Sequence, residues 1–472
     1  MRESKYDVII IGSGLGGLAC GNYLAKSGMK VAIFERNDKA GGCCSSFSRG
    51  AFTFDSGAHI VSGLGENGIL RKVIKDLNMA GKLKFTRPKI YDKVIFPKFS
   101  FTLGSDIKQT ISQVQNLFPK ESKKIESFFN FIEKINFMKV YPYLKKRSFV
   151  ELLYEYFSDR QLIKVFLSLA GYLGTEPRLL SSFGAIDFFR EVIFDGGYYP
   201  YGSMQRISDA FADNFKQMGG DIFFSSPVNK IILKDSSAKG VILANKRRLY
   251  SSIVVSNADA RQTFINLVGK SHLPCRFMSD LLRMLPTVSA FCVFLGLNKR
   301  LSSIGMKMNL SYMYDIKDDI RKAPENGYLI MFSSSLIDRS LSGPDKDTLN
   351  IMKLLPFRGR EFWNKNKEAI AQKHIDRAEE LLPGLSRSII FRDIATPFTY
   401  YRHTQNYAGA IGGWALTPSQ TGNFRLNQVT PVTNLYLAGH WTRPGLGLTA
   451  SVRSGALAAE RILRNLKKEA QI

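Results

Sequence analysis

Residues Tyr6 to Arg36, YDVIIIGSGLGGLACGNYLAKSGMKVAIFER, constrain the fold more than any other stretch of the chain. Val8 to Ile11 form a short apolar run of the buried parallel type. Gly12, Gly14 and Gly17 follow it at G-x-G-x-x-G spacing. At that spacing Gly12 permits the tight turn, Gly14 lets backbone approach a pyrophosphate, and Gly17 lets the next helix pack closely on the strand. That helix, read as Gly16 to Ser27, would aim its unpaired N–H groups and positive dipole end at the phosphates. Gly28 stops it, and Val31 to Phe34 make a second strand. Glu35 then follows Gly17 by about the ~20 residues expected of an acid that binds ribose hydroxyls. A carboxylate there repels a 2′-phosphate, so FAD or NAD is expected rather than NADP. Glycine turns occur in many loops, but here strand, turn, helix and acid stand in order, which points to a dinucleotide site.

A chain of 472 residues with 44% apolar content has room for two or three domains and a large core. No run reaches the ~18 consecutive apolar residues of a membrane span, so an integral membrane protein is not expected. The apolar run in MRESKYDVIII is too short for a signal-peptide core and leads into the glycine turn, which makes a cytoplasmic location the expectation. Cys20, Cys43, Cys44, Cys275 and Cys292 lack metal spacing, so reduced thiols and no metal centre are expected. The net charge of +26 admits nucleic acid, an anionic membrane surface, or a solvated basic surface. Without a zinc finger, helix-turn-helix signature or arginine-rich tail, nucleic acid is not an expected partner.

After Glu35 comes NDKAGGCCSSF, in which adjacent Gly41 and Gly42 let backbone lie close to a ligand. NAD alone does not need this second glycine pair; together with the first loop it suggests the longer FAD. In GAFTFDSGAHIVSGLG, Phe52 and Phe54 alternate with small or polar residues before Asp55, Gly57 and His59 enter a glycine-rich loop. This loop is expected to line a flavin with His59 near its ring, although a lone histidine beside glycines is also an ordinary loop residue. Near the other end, Leu435 to Ala438 of NLYLAGHWTRPGLGLTASVRSGALAAERI read as a buried strand ended by Gly439. Gly445 and Gly447 then precede a helix rich in small residues. Its N-terminus suits the anionic part of a reduced flavin or the pyrophosphate.

The glycine loop, GGCCSSF and FDSGAH together resemble the N-terminal part of the phytoene desaturase and carotenoid isomerase family of flavoproteins, which includes retinol saturase-like enzymes. The resemblance extends through the closing block and spans essentially the whole chain. It implies an α/β fold: a Rossmann-type FAD-binding domain, glutathione reductase-like or amine oxidase-like, with an inserted α+β substrate domain. The FAD-binding domain is then discontinuous, drawn from 1–88, 198–285 and 421–472, with the substrate domain from 89–197 and 286–420. Cofactor contacts are expected at Gly12, Gly14, Leu15, Gly17, Glu35, Arg36, Gly42, Val228, Gly439, His440, Gly447 and Leu448, with Val228 against adenine. Many relatives carry an acid where His440 stands, whereas other branches of the family tolerate GHW; the resemblance therefore implies no side-chain contact at that position but leaves room for a backbone contact. The family's segment corresponding to Ala395–Trp414 lies over the flavin, which makes Tyr400, Arg402, His403 and Trp414 candidates. Of these, Arg402 and Trp414 join His59 as candidate catalytic or flavin-facing residues.

Between the terminal blocks, Lys89 to Leu103 reads as a hairpin turning near Pro97 and Lys98, and about 105–190 as helical. Ile125, Phe128, Phe129, Ile132 and Ile135 share one helical face ringed by lysines such as Lys120, Lys123, Lys124 and Lys134. Such a helix is either the core of a cap or a membrane-interface element; since the resembled enzymes take isoprenoids from membranes, the second is expected. An amphipathic helix with Ile207, Ala210, Phe211 and Phe215 on one face precedes strands across Asp221–Leu233 and Val241–Asn257. Val288–Leu297 and Tyr328–Ser333 read as strands of a second sheet and Arg360–Leu382 as a helix, the region expected to hold the substrate. No nucleophile constellation is present, and a polyene needs none. The leading expectation is an FAD-dependent oxidoreductase acting on a hydrophobic isoprenoid or carotenoid by desaturation, saturation or cis/trans isomerisation. A quinone or other acceptor, and peripheral attachment to the inner face of the cytoplasmic membrane, accompany it. An amine oxidase-like flavoenzyme and a non-catalytic, FAD-containing isoprenoid carrier are the alternatives.

Overall fold

The computed structural model describes residues 6–313 and 327–469. β1 (Tyr6–Ile11) and β2 (Val31–Phe34) pair in parallel with Val8 opposite Val31. All of β2 and most of β1 are buried, as continuous apolar runs require when both faces of a sheet are covered. β9 (Asp221–Phe223) adds to β2, and β12 (Arg248–Ser256) adds to the other side of β1, both in parallel. β18 (Leu435–Leu437) then pairs in parallel with the end of β12, while β10 (Val228–Lys234) and β11 (Ser237–Leu243) form an antiparallel wing on its start. One sheet therefore joins the beginning, middle and end of the chain.

The first helix, Leu15–Lys26, and the closing helix, Leu448–Glu469, cover the same sheet and pack on each other. The first begins one residue before the expected Gly16 and ends one before Ser27. Small residues set how near the two helices come: a Cβ on Gly455 would lie 2.1 Å from the Gly16 carbonyl oxygen. The helix Gln205–Gln217 buries Ile207, Ala210, Phe211 and Phe215 against this core, the face its periodicity predicts.

The second sheet is mostly antiparallel and runs β17–β13–β16–β15–β14–β6–β7. Its strands are β6 (Ile90–Ile95), β7 (Ser100–Gly104), β13 (Ser289–Leu297), β14 (Asn309–Met313), β15 (Tyr328–Phe332), β16 (Asp347–Leu355) and β17 (Ile389–Ala395). β6 and β7 form the expected hairpin, closed around Pro97 and Lys98 by Phe96 N–H donating to the Phe99 carbonyl (2.8 Å). Alternate residues of the central strands face opposite ways. Phe291, Val293, Leu329, Met331 and Ile351 pack under the helix Arg360–Glu379 through Trp363, Ala371 and Ile375. Phe294, Ile330, Phe332, Met352 and Leu354 face the helical layer contributed by residues 107–194. Two ribbons complete the strands: β3 (Ser46–Arg49) with β4 (Phe52–Asp55), and β5 (Phe85–Thr86) with β8 (Tyr199–Pro200).

The helical layer corrects one expectation. Ile125, Phe128, Phe129 and Ile132 of the helix Ser122–Lys134 are buried, and Phe128 stands edge-on to Phe157 and Phe166 at 5.4 and 5.0 Å between ring centroids. The apolar stripe expected at a membrane interface is spent on the interior, because a 3.6-residue period looks the same whether its apolar side meets lipid or core. No helix among the described residues is long and apolar enough to cross a membrane.

Candidate functional site

A cavity of about 1120 Å³ runs from the carboxyl ends of β1 and β2 into the space between the two sheets. The first glycine loop forms its floor. Gly12, at φ +92°, turns the chain and donates its N–H to the Phe34 carbonyl (2.8 Å). A Cβ on Gly17 would sit 2.2 Å from the Gly12 carbonyl oxygen, so helix and turn come as close as the spacing predicts. Gly14 is the N-cap of the first helix, and Leu15 its first residue. Gly42 lies over Gly14, where an added Cβ would be 3.6 Å from the Gly14 Cα. The two glycine segments thus form one backbone cradle.

Two residues of this cradle escaped the sequence reading. A Cβ on Gly16 would come within 2.6 Å of the Gly439 Cα and of its nitrogen, so Gly16 is a point where the first glycine loop meets the closing block. Asn257, just beyond β12, fills the space beside Gly14, Gly16 and Gly439, and its Nδ2 donates to the Gly12 carbonyl at 3.5 Å. A glycine at a variable position of the motif and a lone asparagine carry no local signal. Only the three-way meeting of segments gives them meaning.

Glu35 is buried at 4% exposure on the wall of the cavity. Its carboxylate accepts from the N–H and Oγ of Ser13 (2.8 and 2.9 Å) and from the N–H and Nδ2 of Asn37 (2.8 and 3.0 Å). These four donors fix it at the loop edge, and ribose hydroxyls would share or displace the side-chain pair. Arg36 and Val228 line the same end of the cavity.

At the opposite end, Gly439 takes φ +89° and donates its N–H to Ser454 Oγ (3.1 Å). Gly447 and Leu448 line the cavity where the closing helix begins, so the N-termini of two helices open on one space. His440 lines it as well, and burial with the nearby Arg425 lowers its pKa to about 4, which keeps the imidazole neutral. Arg425, only 2% exposed, donates to the carbonyls of His440 (2.5 Å), Trp414 (3.1 Å) and Thr442 (3.0 Å). Desolvation pulls the guanidinium down to about 9. Arg425 pins the closing block from behind, a role that no motif announces.

The candidate catalytic residues separate in space. His59 lines the inner cavity and stacks on Phe332, 3.9 Å between ring centroids; burial depresses it to about 4. Arg402 and His403 sit at the other end instead, where Asn37 Nδ2 donates to the His403 carbonyl (3.2 Å) and Arg36 and Lys39 are neighbours. Trp414 is fully buried away from the cavity, edge-on to Trp441 at 4.7 Å. Only His59 of the three faces the interior, while Tyr400 lines the cavity with its hydroxyl donated to the Ser56 carbonyl (3.0 Å). Asp55, expected in the flavin loop, is buried off the cavity and accepts from Ser46 Oγ, Tyr199 Oη, Ser334 Oγ and Met204 N–H at 2.5–3.0 Å.

Beyond His59 the wall turns apolar, with Leu103, Leu173, Phe188, Ala290, Phe294, Ile330, Met352 and Leu354. The residues present therefore fit FAD. The glycine cradle at the first helix N-terminus could hold the pyrophosphate, the acid at one end the ribose, and the second helix N-terminus the flavin ring, with an apolar chamber opening beyond.

The chain matches the family described as flavin containing amine oxidoreductase over residues 15–463. Prolycopene isomerase 2 from chloroplasts of an Oncidium hybrid cultivar is 27% identical, over 98% of this chain and 85% of that protein. All-trans-retinol 13,14-reductase of Danio rerio is 25% identical, over 98% and 87%. The 4,4'-diapophytoene desaturase of Methylomonas sp is 25% identical, over 98% and 96%. Among solved structures, an oxidoreductase from Methanosarcina mazei shares the fold at TM-score 0.72 and 18% identity, covering 97% of this chain and 99% of that one. Putrescine oxidase does so at TM-score 0.69 and 16% identity, over 97% and 99%.

Proposed function

This chain belongs to the flavin containing amine oxidoreductases, and from that premise we propose that it is an FAD-dependent oxidoreductase of long isoprenoid or carotenoid polyenes. The reaction is desaturation, saturation or cis/trans isomerisation. The observation that carries this reading is the contact of Gly16 with Gly439, which closes a nucleotide groove directly onto an apolar chamber. The names of the carotenoid and retinoid relatives support the substrate class.

On this reading 1–88, 198–285 and 421–472 hold the nucleotide, and 89–197 and 286–420 enclose the substrate. Gly12, Gly14, Leu15, Gly17 and Gly42 receive the pyrophosphate, Glu35 and Arg36 the ribose, and Val228 the adenine. Gly439, His440, Gly447 and Leu448 border the flavin ring. A bound flavin supplies hydride exchange at N5. Phe294, Ile330, Met352 and Leu354 hold a polyene by apolar contact and exclude water. Neutral His59, stacked on Phe332, gives the chamber a flat aromatic wall without introducing a charge.

The test is to incubate the oxidised and the dithionite-reduced protein anaerobically with lipid extract and analyse the products. A polyene altered in double-bond number or geometry supports the reading. Amine oxidation with peroxide release, and no polyene product, overturns it.

The substrate's source on this reading is an anionic membrane, at the inner face of the cytoplasmic membrane, with a quinone or another electron acceptor. Support comes from Tyr143 and Tyr154, 41% and 58% exposed, in a region that also carries Lys139, Lys145 and Lys146. Flotation with anionic liposomes should weaken as salt rises, and no binding at any salt refutes the attachment.

A further inference from the structure

The inner chamber is apolar except along one wall, where β6 is irregular. Its pairing with β7 shifts register between Ile90 and Asp92, leaving Tyr91 as the extra residue of a β-bulge. Such a bulge re-aims the side chains beside it. Tyr91 lines the cavity, is 5% exposed, and its buried Oη has no hydrogen-bond partner. Asp92, 2% exposed, accepts from Ser311 Oγ (2.6 Å) and Tyr172 Oη (3.1 Å). Tyr172 and Ser311 are also 2.9 Å apart. Tyr172 lines the cavity, 6.1 Å from His59 between ring centroids.

A chamber meant only for hydrocarbon has no use for this cluster. An unpaired buried hydroxyl is destabilising, and a buried carboxyl needs its donors merely to be tolerated. Both phenolic side chains line the cavity, whereas Asp92 stands behind them. They can give and accept hydrogen bonds but present no charge to a ligand.

We propose that Tyr91 and Tyr172, with Tyr172 held by Asp92 and Ser311, form a polar subsite that binds a hydroxyl group on an otherwise apolar isoprenoid. This rests on the isoprenoid reading above and narrows it to an oxygenated substrate of the alcohol class. A carboxylate end is disfavoured by Asp92 behind the wall, and an ammonium end meets no carboxylate among the inner-chamber residues beside Tyr91 and Tyr172, since the acids that line the cavity, such as Glu35, stand at its nucleotide end.

The test is equilibrium binding to the flavin-loaded protein in one fixed detergent. The probes are geranylgeraniol, the hydrocarbon of the same skeleton without the hydroxyl, and the corresponding acid and amine. Tyr91→Phe and Tyr172→Phe each remove one oxygen and keep the ring, and flavin content confirms that the variants fold. Comparing each probe between wild type and variant cancels its own partition into detergent. Each variant should lose about three- to tenfold in affinity for the alcohol and less than about twofold for the hydrocarbon. Unchanged alcohol binding in both variants overturns the subsite and leaves it to water, as does an equal loss for alcohol and hydrocarbon. Tighter binding of acid or amine than of alcohol also overturns it. If the wild type binds neither alcohol nor hydrocarbon, the isoprenoid reading falls and the subsite with it; hydrocarbon binding without the alcohol effect removes the subsite alone.

Discussion

The two ends of the cavity are built by opposite means. At the nucleotide end the surface is backbone: Gly12, Gly14, Gly42 and Gly439 bring main chain to the ligand, and two helix N-termini supply the field. At the inner end the surface is side chains from alternate positions of β13, β15 and β16, helped by Leu103, Tyr172 and Phe188 from elsewhere. A backbone site tolerates almost no change at its glycines, whereas a side-chain site tolerates exchange of one apolar residue for another of similar volume. Substitutions should therefore separate cofactor retention from substrate handling.

The largest effect is expected at the junction. In Gly16→Val the added Cβ meets the Gly439 backbone at 2.6 Å, so flavin affinity should fall more than about 100-fold, seen as lost 450 nm absorbance in a chain that still folds by circular dichroism. Next comes Glu35→Gln, which turns one of the two carboxylate oxygens, each accepting two hydrogen bonds, into a donor facing donors. At about 1.5–3 kcal/mol, FAD affinity should drop roughly ten- to hundredfold by titration of the apoprotein. At the inner end, Ile330→Trp fills the chamber, and polyene conversion should fall about tenfold or more while flavin content changes less than about twofold. Equal loss of flavin in all three variants would break the distinction between the ends.

How legible each end was follows from the same contrast. The strand, turn, helix and acid of Tyr6–Glu35 lie together in sequence, as do the strand and helix of the closing block, and the fold places them as read. Gly16, Asn257 and Arg425 were not visible, because each acts on a segment more than 10 residues away in the chain, at distances only the fold reveals. The stripe of Ile125, Phe128, Phe129 and Ile132 was read toward lipid, and the fold buries it. Trp414 and Arg402 came in by likeness of segment; the fold puts one behind the closing block and the other beside His403, away from His59. The polar wall at Tyr91 depends on a bulge, which has no sequence signature in an alternating strand.

A pH effect sharpens the boundary between the ends, where His59 sits. Burial lowers its pKa from 6.5 to about 4. Above pH 6.5 folded and unfolded chains both carry it neutral. As the pH falls toward 4, the unfolded chain takes up a proton that the folded chain does not, and stability is lost, by up to about 2 kcal/mol at pH 5. His59→Asn lacks this component, so the gap between wild-type and variant urea midpoints should shift in the variant's favour from pH 7 to pH 5. A pH-independent gap would place His59 in solvent rather than against Phe332.

The account depends most on one flavin nucleotide held where the chain's ends meet. Heat-denaturing the purified protein and resolving the released cofactor by chromatography measures this directly. One FAD per chain is the predicted result; a flavin-free preparation that stays so after incubation with FAD, or release of FMN or NADP instead, contradicts it.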